Sequence, residues 1–454
     1  MDDMPTSVMW FRRDLRLGDQ PALREAVTAG PDGVVPLFVL DDTLWTEGAS
    51  TRVAYLSRLL TDFADRIGGL HVVHGDPVAE VVRVARQVGA DTVHVSADFT
   101  PYGARRDTAV EKALAEHDID LVRTGSPYAV APGRIAKDDG TGYRVFTPWH
   151  RAWQQHGWRA PAAKVEDAPW LRPDGRTHRI PDAAVPEGLT LPPLGEEAAL
   201  ERWRTFLADD VADYDDTRDL PGPDRTSRMS VHLKWGTIHP RTLLADLAPL
   251  RSKGSDAYAR ELGFREFYAD VLHQRPDSAF GYYNKTFEAM EYDEPGADLD
   301  AWKAGRTGIP IVDAGMRQLL GEGWMHNRVR MIVASFLVKD LHLEWQHGAR
   351  HFLKLLVDAD LASNQHGWQW VAGSGTDASP YFRIFNPMTQ GKKFDPDGTY
   401  VRRWVPELAD VPAKHVHTPW EMAEPPADYP APIIDHAEER TESLRRYEAI
   451  RAGR

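Results

Sequence analysis

Five short apolar runs alternate with amphipathic helical patterns in the first 125 residues, and this alternation restricts the fold more than any other feature of the sequence. The runs are SVMWF, VVPLFVL, LHVVHG, DTVHVS and IDLVRT, and the helical patterns begin near Pro21, Arg52, Val78 and Ala104. Short buried strands that alternate with helices form a parallel sheet covered by helices on both faces. The sequence therefore predicts a doubly wound parallel α/β domain.

Composition and periodicity change after this pattern. Residues 155–194 are rich in Pro, Gly, Asp and Ala, which is typical of a connector that runs over the surface. Beyond them the periodicity is helical, and the clearest apolar stripe consists of Val329, Ile332, Val333, Phe336 and Leu337. We predict an α/β domain over 1–130, a long linker over 131–195 and an all-α domain over 196–454, which ends in a solvated helix from His436.

The composition excludes several kinds of site. The chain has 454 residues, no cysteine and a net charge of −14. Without thiols it forms no disulfide, thiolate centre or iron–sulfur cluster. No apolar run reaches eighteen residues, so we expect a cytoplasmic protein without a membrane span. The negative charge argues against non-specific binding to nucleic acid, although residues 321–404 carry ten Lys and Arg against eight Asp and Glu.

Two patterns suggest ligands that their surroundings do not support. Gly373, Gly375 and Ala378 fit a dinucleotide-binding motif, but that motif follows a strand, and here the preceding residues have a Trp-rich helical pattern. Asp358 and Asp360 lack the neighbours that would complete a cation-binding loop. We therefore predict neither a phosphate site at the glycines nor a metal site.

The segment DRTSRMSVHL is a better candidate for binding phosphate. Thr226, Ser227 and Ser230 stand where a loop rich in Pro and Gly gives way to a helix, so hydroxyls and free backbone N–H groups converge there. Ordinary capping of the helix would explain the same spacing, and the residues alone leave both interpretations open.

A later helix places charge among apolar residues. Asn327 and Met331 lie one turn apart on this helix, and Arg330 lies beside them. A guanidinium in apolar surroundings needs a carboxylate, and Asp358 is its natural partner. By itself this pattern predicts a structural ion pair.

Eight blocks, in the same order over nearly the whole chain, resemble the DNA photolyase/cryptochrome family, in its class I cyclobutane pyrimidine dimer branch. They are MWFRRDLRLGDQPAL, RTSRMS, ELGFREFY, AWKAGRTGIPIVDAGMRQL, GWMHNRVRMIVASFLVKDL, DADLASNQHGWQW, GTDASPYFRIFNP and WVPELADVP. The resemblance implies that the helical domain holds a U-shaped FAD, whose reduced anion, excited by near-UV or blue light, gives an electron to a dimer flipped out of DNA. We expect a monomer that acts on DNA containing pyrimidine dimers without an obligate protein partner.

The resemblance gives the polar residues a role in holding the flavin. Asp358 and Asp360 match positions at the isoalloxazine and the ribose, and Arg330 matches the arginine paired with Asp358. Asn364 matches the residue that faces flavin N5, where an amide can accept a hydrogen bond without adding charge. The match to the diphosphate-binding segment comprises Tyr214, Thr226, Ser227, Arg228, Met229 and Ser230.

The resemblance divides the aromatic residues between electron transfer and the lesion. Trp368 and Trp345 match the first two members of the relay that photoreduces oxidised flavin. Trp370 matches a wall of the dimer cavity, where an aromatic face stacks on flipped bases. Glu261 matches a carboxyl that, when protonated, would hydrogen-bond the dimer and stabilise its radical anion. Other matches to dimer-cavity positions are Arg218, Asn327, Arg328 and Met331, and the expected phosphate contacts are Arg383, Lys392, Lys393, Arg402 and Arg403.

Two positions depart from the family pattern. Phe264 stands where the family has a tryptophan that stacks on the dimer, so we expect dimer affinity to be lower by up to about 1–3 kcal/mol. Tyr292, ten residues before Trp302, stands where the outer tryptophan of the relay usually lies. Tyrosine carries a hole only if it loses its proton, so we expect photoreduction to persist with an altered pH dependence.

The family also holds an antenna chromophore in its N-terminal domain. Folate-binding members have an Asn-Glu pair where this chain has Tyr102 and Gly103, which disfavours folate. The motif LKWG resembles the members that bind an 8-hydroxy-5-deazaflavin. We expect that chromophore, with Lys234 facing its negative charge and Asp98 as a weaker candidate, and an empty antenna site is the alternative.

Two other functions fit part of the sequence. A cryptochrome-type blue-light receptor would keep FAD and the relay with little or no repair, and Phe264 and Tyr292 favour it. Glu261, Trp370 and Asn364 favour repair, as do Asn327 and Met331. Repair of the (6-4) lesion needs two cavity histidines, and His326 is ordinary for the dimer branch.

Overall fold

The computed structural model describes residues 5–46, 50–174, 177–376 and 382–452. The chain divides into two compact units. Unit 1 comprises Met1–Pro186, Pro192–Val211 and Ser227–Pro276, and unit 2 comprises Glu187–Leu191, Ala212–Thr226 and Asp277–Arg454. The domain boundaries predicted above, after residues 130 and 195, stay a prediction.

Unit 1 contains a five-stranded, fully parallel sheet with the strand order β3-β2-β1-β4-β5. Its strands are β1 Thr6–Phe11, β2 Gly33–Leu40, β3 His71–His74, β4 Thr92–Val95 and β5 Asp120–Arg123. In the register, Val8 of β1 is paired with Val35 of β2 and with Val93 of β4. Since the chain crosses from β3 at one edge to β4 beyond β1, the carboxyl ends of β1 and β4 form the switch point at which such sheets bind ligands. The predicted doubly wound α/β domain is confirmed.

Helices make up most of the remaining described residues. In chain order they are α1 Pro21–Ala29, α2 Asp42–Thr46, α3 Ser50–Ile67, α4 Pro77–Gln87, α5 Pro101–Ala115, α6 Phe146–His156, α7 Gly195–Asp209, α8 Tyr214–Thr217, α9 Met229–Trp235, α10 Pro240–Leu247, α11 Lys253–Gln274, α12 Ala297–Ala304, α13 Pro310–Glu322, α14 Asn327–Ser335, α15 Trp345–Leu355, α16 Leu361–Ala372, α17 Pro387–Phe394, α18 Thr399–Trp404 and α19 His436–Ala452. The short 3-10 helices are Val211–Asp213, Pro276–Ala279, Lys285–Ala289, Pro406–Leu408 and Pro419–Glu421. None of the described helices is long and apolar enough to cross a membrane.

The core of unit 1 lies around the sheet. Both faces of the sheet are buried, with Trp10, Leu37 and Val93 on one face and Met9 and Phe38 on the other, which is why these strands read as continuous apolar runs. The predicted linker over 131–195 contains helix α6, whereas the described residues between α6 and α7 form no helix and only one isolated bridge, in which Trp170 pairs with Val34. A Pro-rich chain lacks the N–H donors and the freedom that regular elements need.

Unit 2 is built from helices around one large core. The five residues of the predicted apolar stripe are all buried in it. The helix of the stripe does not continue regularly, because α14 passes into a π-helix over Phe336–Asp340. Short π-helical segments inside α-helices are frequent at functional sites. This one is the last helical segment before α15, which begins at Trp345.

The prediction that the last helix is solvated is wrong. In α19, His436, Ser443, Arg446 and Ile450 are buried. An ion pair joins Arg446 to Asp293 at 2.9 Å, and the Glu439 carboxyl lies 2.7 Å from His342 Nε2. The periodicity hid this contact face, because its members are mostly polar and find their partners only in the folded chain.

Candidate functional site

Arg330 of α14 and Asp358, between α15 and α16, form the predicted ion pair in unit 2. Arg330 Nη2 lies 2.8 Å from Asp358 Oδ2, and Arg330 Nε donates to the Met325 carbonyl at 2.7 Å. The other carboxylate oxygen, Asp358 Oδ1, is buried and has no hydrogen-bond partner among the described residues. A buried acceptor without a donor is costly, so this atom indicates the binding of a ligand.

Helix α16 follows directly and carries the remaining flavin candidates of unit 2. Asp360 caps the helix, since its Oδ1 accepts a hydrogen bond from Ser363 N at 3.0 Å. The Asn364 amide donates to the Ala349 carbonyl at 3.2 Å and to Gln365 Oε1 at 2.8 Å, which leaves its own oxygen as the acceptor. Asn364 and Trp368 lie one turn apart on this helix. Helix α16 ends at Gly373, where φ is +88°, so the glycine motif follows a helix and not a strand, and Ala378 lies outside the described residues.

The hydroxyl-rich segment has a strained backbone. Arg228, the residue before α9, has φ of +55°, and Asp224 has φ of +53°, both unfavourable for residues with a Cβ. Ser227 Oγ lies 2.7 Å from the Tyr258 hydroxyl and accepts from Met229 N at 3.2 Å. The Ser227 hydroxyl therefore satisfies one backbone N–H at the start of α9, but Arg228 is the N-cap and has no side-chain capping bond, so capping does not account for the strain on both sides of Thr226 and Ser227.

Helix α11 of unit 1 carries Glu261 and Phe264 three residues apart. The Phe264 ring stacks on Phe146 of α6, with centroids 3.5 Å apart and planes inclined by 8°. Gly263 permits this approach, because a Cβ there would lie only 2.8 Å from His150 of α6. Helix α6 is anchored to the same helix by Trp153 Nε1, which donates to the buried carboxylate of Glu266 at 2.7 Å. The structure therefore presents the phenyl group of Phe264 as one of a stacked pair.

The dimer-cavity candidates of unit 2 have charged and aromatic neighbours. Asn327 Nδ2 lies 4.0 Å from Met331 Sδ, as their spacing on α14 predicts. Arg328 Nη2 lies 2.7 Å from Asp219 Oδ2, and Asp219 directly follows Arg218 in the chain. The Arg383 guanidinium lies 5.5 Å from the centroid of the half-buried Trp370 ring.

The relay candidates all lie in unit 2. Trp345 and Trp368 are buried, and Tyr292 is half-buried. Helices α15 and α16 come close at Gly348, where a Cβ would overlap the indole of Trp368. The ring neighbours of Trp368 are Trp302 and Phe352, at 6.2 and 5.0 Å between centroids. The ring neighbour of Trp345 is Tyr282, at 6.3 Å, and Tyr282 also stacks on Tyr292 at 6.3 Å.

The antenna candidates lie in unit 1 near the switch point of the sheet. Burial alone would raise the pKa of Asp98, but Arg13, Arg12 and Arg106 lower it well below its usual value. The carboxylate oxygens of Asp98 lie 3.5 Å from Arg13 and 3.4 Å from Arg106, so this residue is engaged within the protein. Lys234 lies near the end of α9. The helix is followed by Gly236, which packs so closely against the loop after β1 that a Cβ there would overlap the Arg13 carbonyl.

Comparison with known proteins covers almost the whole chain. Residues 7–168 match the family model described as DNA photolyase, and residues 258–449 match the model described as the FAD binding domain of DNA photolyase. A deoxyribodipyrimidine photo-lyase of Streptomyces griseus is 41% identical over 459 residues, which cover 96% of this chain and 98% of that protein. One of Escherichia coli is 37% identical, with 99% and 100% covered.

The chain belongs to the DNA photolyase family. Solved structures agree with this membership. A class III photolyase of Agrobacterium tumefaciens has a TM-score of 0.91 at 34% identity, covering 99% of this chain and 98% of its own. A Synechocystis cryptochrome has a TM-score of 0.89 at 25% identity, covering 97% and 99%. A photolyase of Sulfolobus tokodaii with two FAD molecules has a TM-score of 0.85 at 28% identity, covering 98% and 100%. The class I branch stays a prediction for this photolyase-family chain.

Sequence reasoning missed several residues that contact the candidates. Phe146 supports Phe264, Asp219 is paired with Arg328, and Tyr282 stands between Trp345 and Tyr292 in ring contact. None of these partners lies at a helical or strand spacing from its neighbour, so periodicity could not reveal them. Among the described residues, no cluster of three metal-ligating side chains is present.

Proposed function

We propose that this chain is a deoxyribodipyrimidine photo-lyase that uses light to split cyclobutane pyrimidine dimers in DNA. The observation that carries the proposal is the Arg330–Asp358 pair with its unpartnered Oδ1, in a region that matches the FAD binding domain of DNA photolyase. The relatives at 41% and 37% identity bear the same enzyme name.

The residues present fit FAD. Asp358 Oδ1 is an open acceptor for an N–H or O–H donor of the cofactor, and the hydrogen bond from Arg330 fixes the position of this carboxylate. Bound FAD, once reduced and excited, supplies the electron that splits the dimer. Asn364 offers its amide oxygen to the flavin, and Asp360 is the match for the ribose. The segment from Thr226 to Ser230, with Tyr214, is the candidate for the diphosphate.

Other residues of the chain would bind and orient the lesion. The Phe264 ring gives a flat apolar face for stacking on a base, and Trp370 gives an aromatic wall. Glu261 is the candidate donor to the carbonyl oxygens of the dimer. Arg383 adds positive charge for the DNA phosphates, so we expect binding to weaken with salt.

A second chromophore belongs to the same proposal. The Sulfolobus tokodaii neighbour contains two FAD molecules, and the motif LKWG resembles deazaflavin-binding members. We propose an 8-hydroxy-5-deazaflavin near Lys234. Since Asp98 is engaged by arginines, Lys234 is the stronger contact. A native holoprotein whose spectrum has a folate-like near-UV band and none further into the blue would contradict this.

A cryptochrome-type receptor is the second candidate, favoured by Phe264 and by the Synechocystis neighbour. Light-dependent repair separates the two. Purified protein with reduced flavin is mixed with an oligonucleotide carrying one thymine dimer, in blue light or darkness, and an oligonucleotide with one (6-4) product is the matched control. Thymine restored from the dimer only in light supports the lyase. No repair with flavin bound and reduced contradicts it and favours the receptor.

A further inference from the structure

Tyr282 joins two residues of the relay that lack ring contact with each other in the described part of the chain. Its ring lies edge to face with Trp345 at 6.3 Å and nearly parallel to Tyr292, at 6.3 Å and 19°. Tyr282 is 4% exposed and belongs to the same core as Trp345. Ring contacts among the described residues therefore connect Trp345 to the half-buried Tyr292 through Tyr282.

The hydroxyl of Tyr282 has a built-in proton acceptor. It donates to Glu344 Oε1 at 3.0 Å, and it also interacts with the Tyr292 hydroxyl. Burial raises the pKa of Tyr282, and burial likewise raises the pKa of Tyr292 to about 12, so both phenols are protonated at neutral pH. Oxidation of a protonated phenol requires release of its proton, and Glu344 is in hydrogen-bond contact to receive it.

Trp345 has no comparable outlet. Its Nε1 is buried and has no hydrogen-bond partner among the described residues. An oxidised indole at this position therefore keeps its proton and its charge, which the low-dielectric core disfavours. Transfer of the hole to a phenol whose proton can leave relieves that charge.

We propose that Tyr282 is an electron carrier of the relay, placed between Trp345 and Tyr292, with Glu344 as its proton acceptor. This inference rests on the proposed function, because it takes oxidised Trp345 from the photoreduction of flavin. One electron passes from Tyr282 to the Trp345 radical cation, and the Tyr282 hydroxyl proton passes to the Glu344 carboxylate. Trp345 becomes neutral, Tyr282 becomes a neutral radical, and Glu344 becomes neutral. Tyr292 then transfers an electron and its proton to Tyr282 and holds the radical nearer to solvent.

The test compares flavin photoreduction in the native holoprotein and in Tyr282→Phe, which removes only a hydroxyl. Tyr283→Phe, at the adjacent tyrosine, is the matched control, and Glu344→Gln tests the acceptor. The protein is loaded with oxidised FAD, kept anaerobic and excited by a blue flash in H2O and in D2O. Transient absorption and electron paramagnetic resonance, with ring-deuterated tyrosine incorporated, identify tyrosyl radicals independently of repair activity.

We expect a neutral tyrosyl radical in the native protein and in Tyr283→Phe, formed more slowly in D2O. In Tyr282→Phe the tyrosyl radical is lost and a tryptophan radical remains. Glu344→Gln slows the formation of the tyrosyl radical and removes most of the solvent isotope effect. Native radical yield and rate in Tyr282→Phe would overturn the proposal, as would a native radical unaffected by ring deuteration of tyrosine. Repair with chemically reduced flavin does not need the relay. Absence of repair in the native protein would therefore contradict the proposed lyase function, whereas the tyrosyl radical signal would still decide the role of Tyr282.

Discussion

Phe264 and Tyr292 are the two positions where the family resemblance predicts a tryptophan, and the structure surrounds them differently. Phe264 stacks on Phe146 at 3.5 Å, and burial lowers the pKa of the neighbouring His150, which keeps that imidazole neutral. Tyr292 lies beside Tyr282, whose hydroxyl donates to Glu344. A stacking residue can thus be replaced by packing alone, whereas a redox residue that must lose a proton needs an acceptor nearby.

The largest expected effect concerns Tyr292. In Tyr292→Phe the radical has no phenol beyond the buried Tyr282 to occupy, so charge recombination should outrun reduction and photoreduction of oxidised flavin should be largely lost. Flavin absorbance under steady blue light measures this, with Tyr283→Phe as the control. Photoreduction at the native rate would remove Tyr292 from the relay.

Glu261 should have the next largest effect, on the lesion side of the comparison. Glu261→Ala would remove the proposed hydrogen bond to the dimer, worth about 1.5–3 kcal/mol, so the rate of dimer splitting with reduced flavin should fall by about 10–160-fold. Asp256→Asn changes an exposed acid of the same helix and should leave repair unchanged. Loss of repair in both variants would assign the effect to helix α11 in general.

The stacked phenyl group of Phe264 should have a smaller effect, on the affinity for dimer-containing DNA. Phe264→Trp should strengthen binding of dimer-containing DNA by up to about 1–3 kcal/mol, the scale of one base stacking on an aromatic ring. The measurement is the ratio of affinities for damaged and undamaged oligonucleotides at fixed salt. Equal ratios in the two proteins would mean that Phe264, supported by Phe146, already stacks as well as an indole.

The smallest expected effect is on stability in alkali. Tyr292 has a folded pKa of about 12, above the ordinary 10, so the unfolded chain releases this proton first as the pH rises. The contribution of Tyr292 to the free energy of unfolding is complete below pH 10. It falls by about 1–2 kcal/mol between about pH 10 and 12. The free energy of unfolding, measured by urea denaturation at each pH, should decline less steeply with rising pH in Tyr292→Phe than in the native protein. Phe264 variants should keep the native pH dependence.

The sequence predicts the elements of the fold better than the contacts that support Phe264 and Tyr292. The strands, the helices and the Arg330–Asp358 pair follow from alternation, periodicity and the need of a buried guanidinium for a carboxylate. Phe146 and Tyr282 could not be predicted, since they lie 118 and 10 residues from the positions they support and share no helix or strand with them. Such contacts depend on tertiary packing, as does the buried face of α19, whose polar residues hid it.

The most direct test of the account is flash repair by the native protein and by a Tyr282→Phe/Tyr292→Phe double variant, both with chemically reduced flavin and an oligonucleotide carrying one thymine dimer. Because chemically reduced flavin does not need the relay, we expect equal thymine yield per flash in the two proteins and none in darkness. No light-dependent thymine from the native protein, or a yield lost in the double variant, would contradict it.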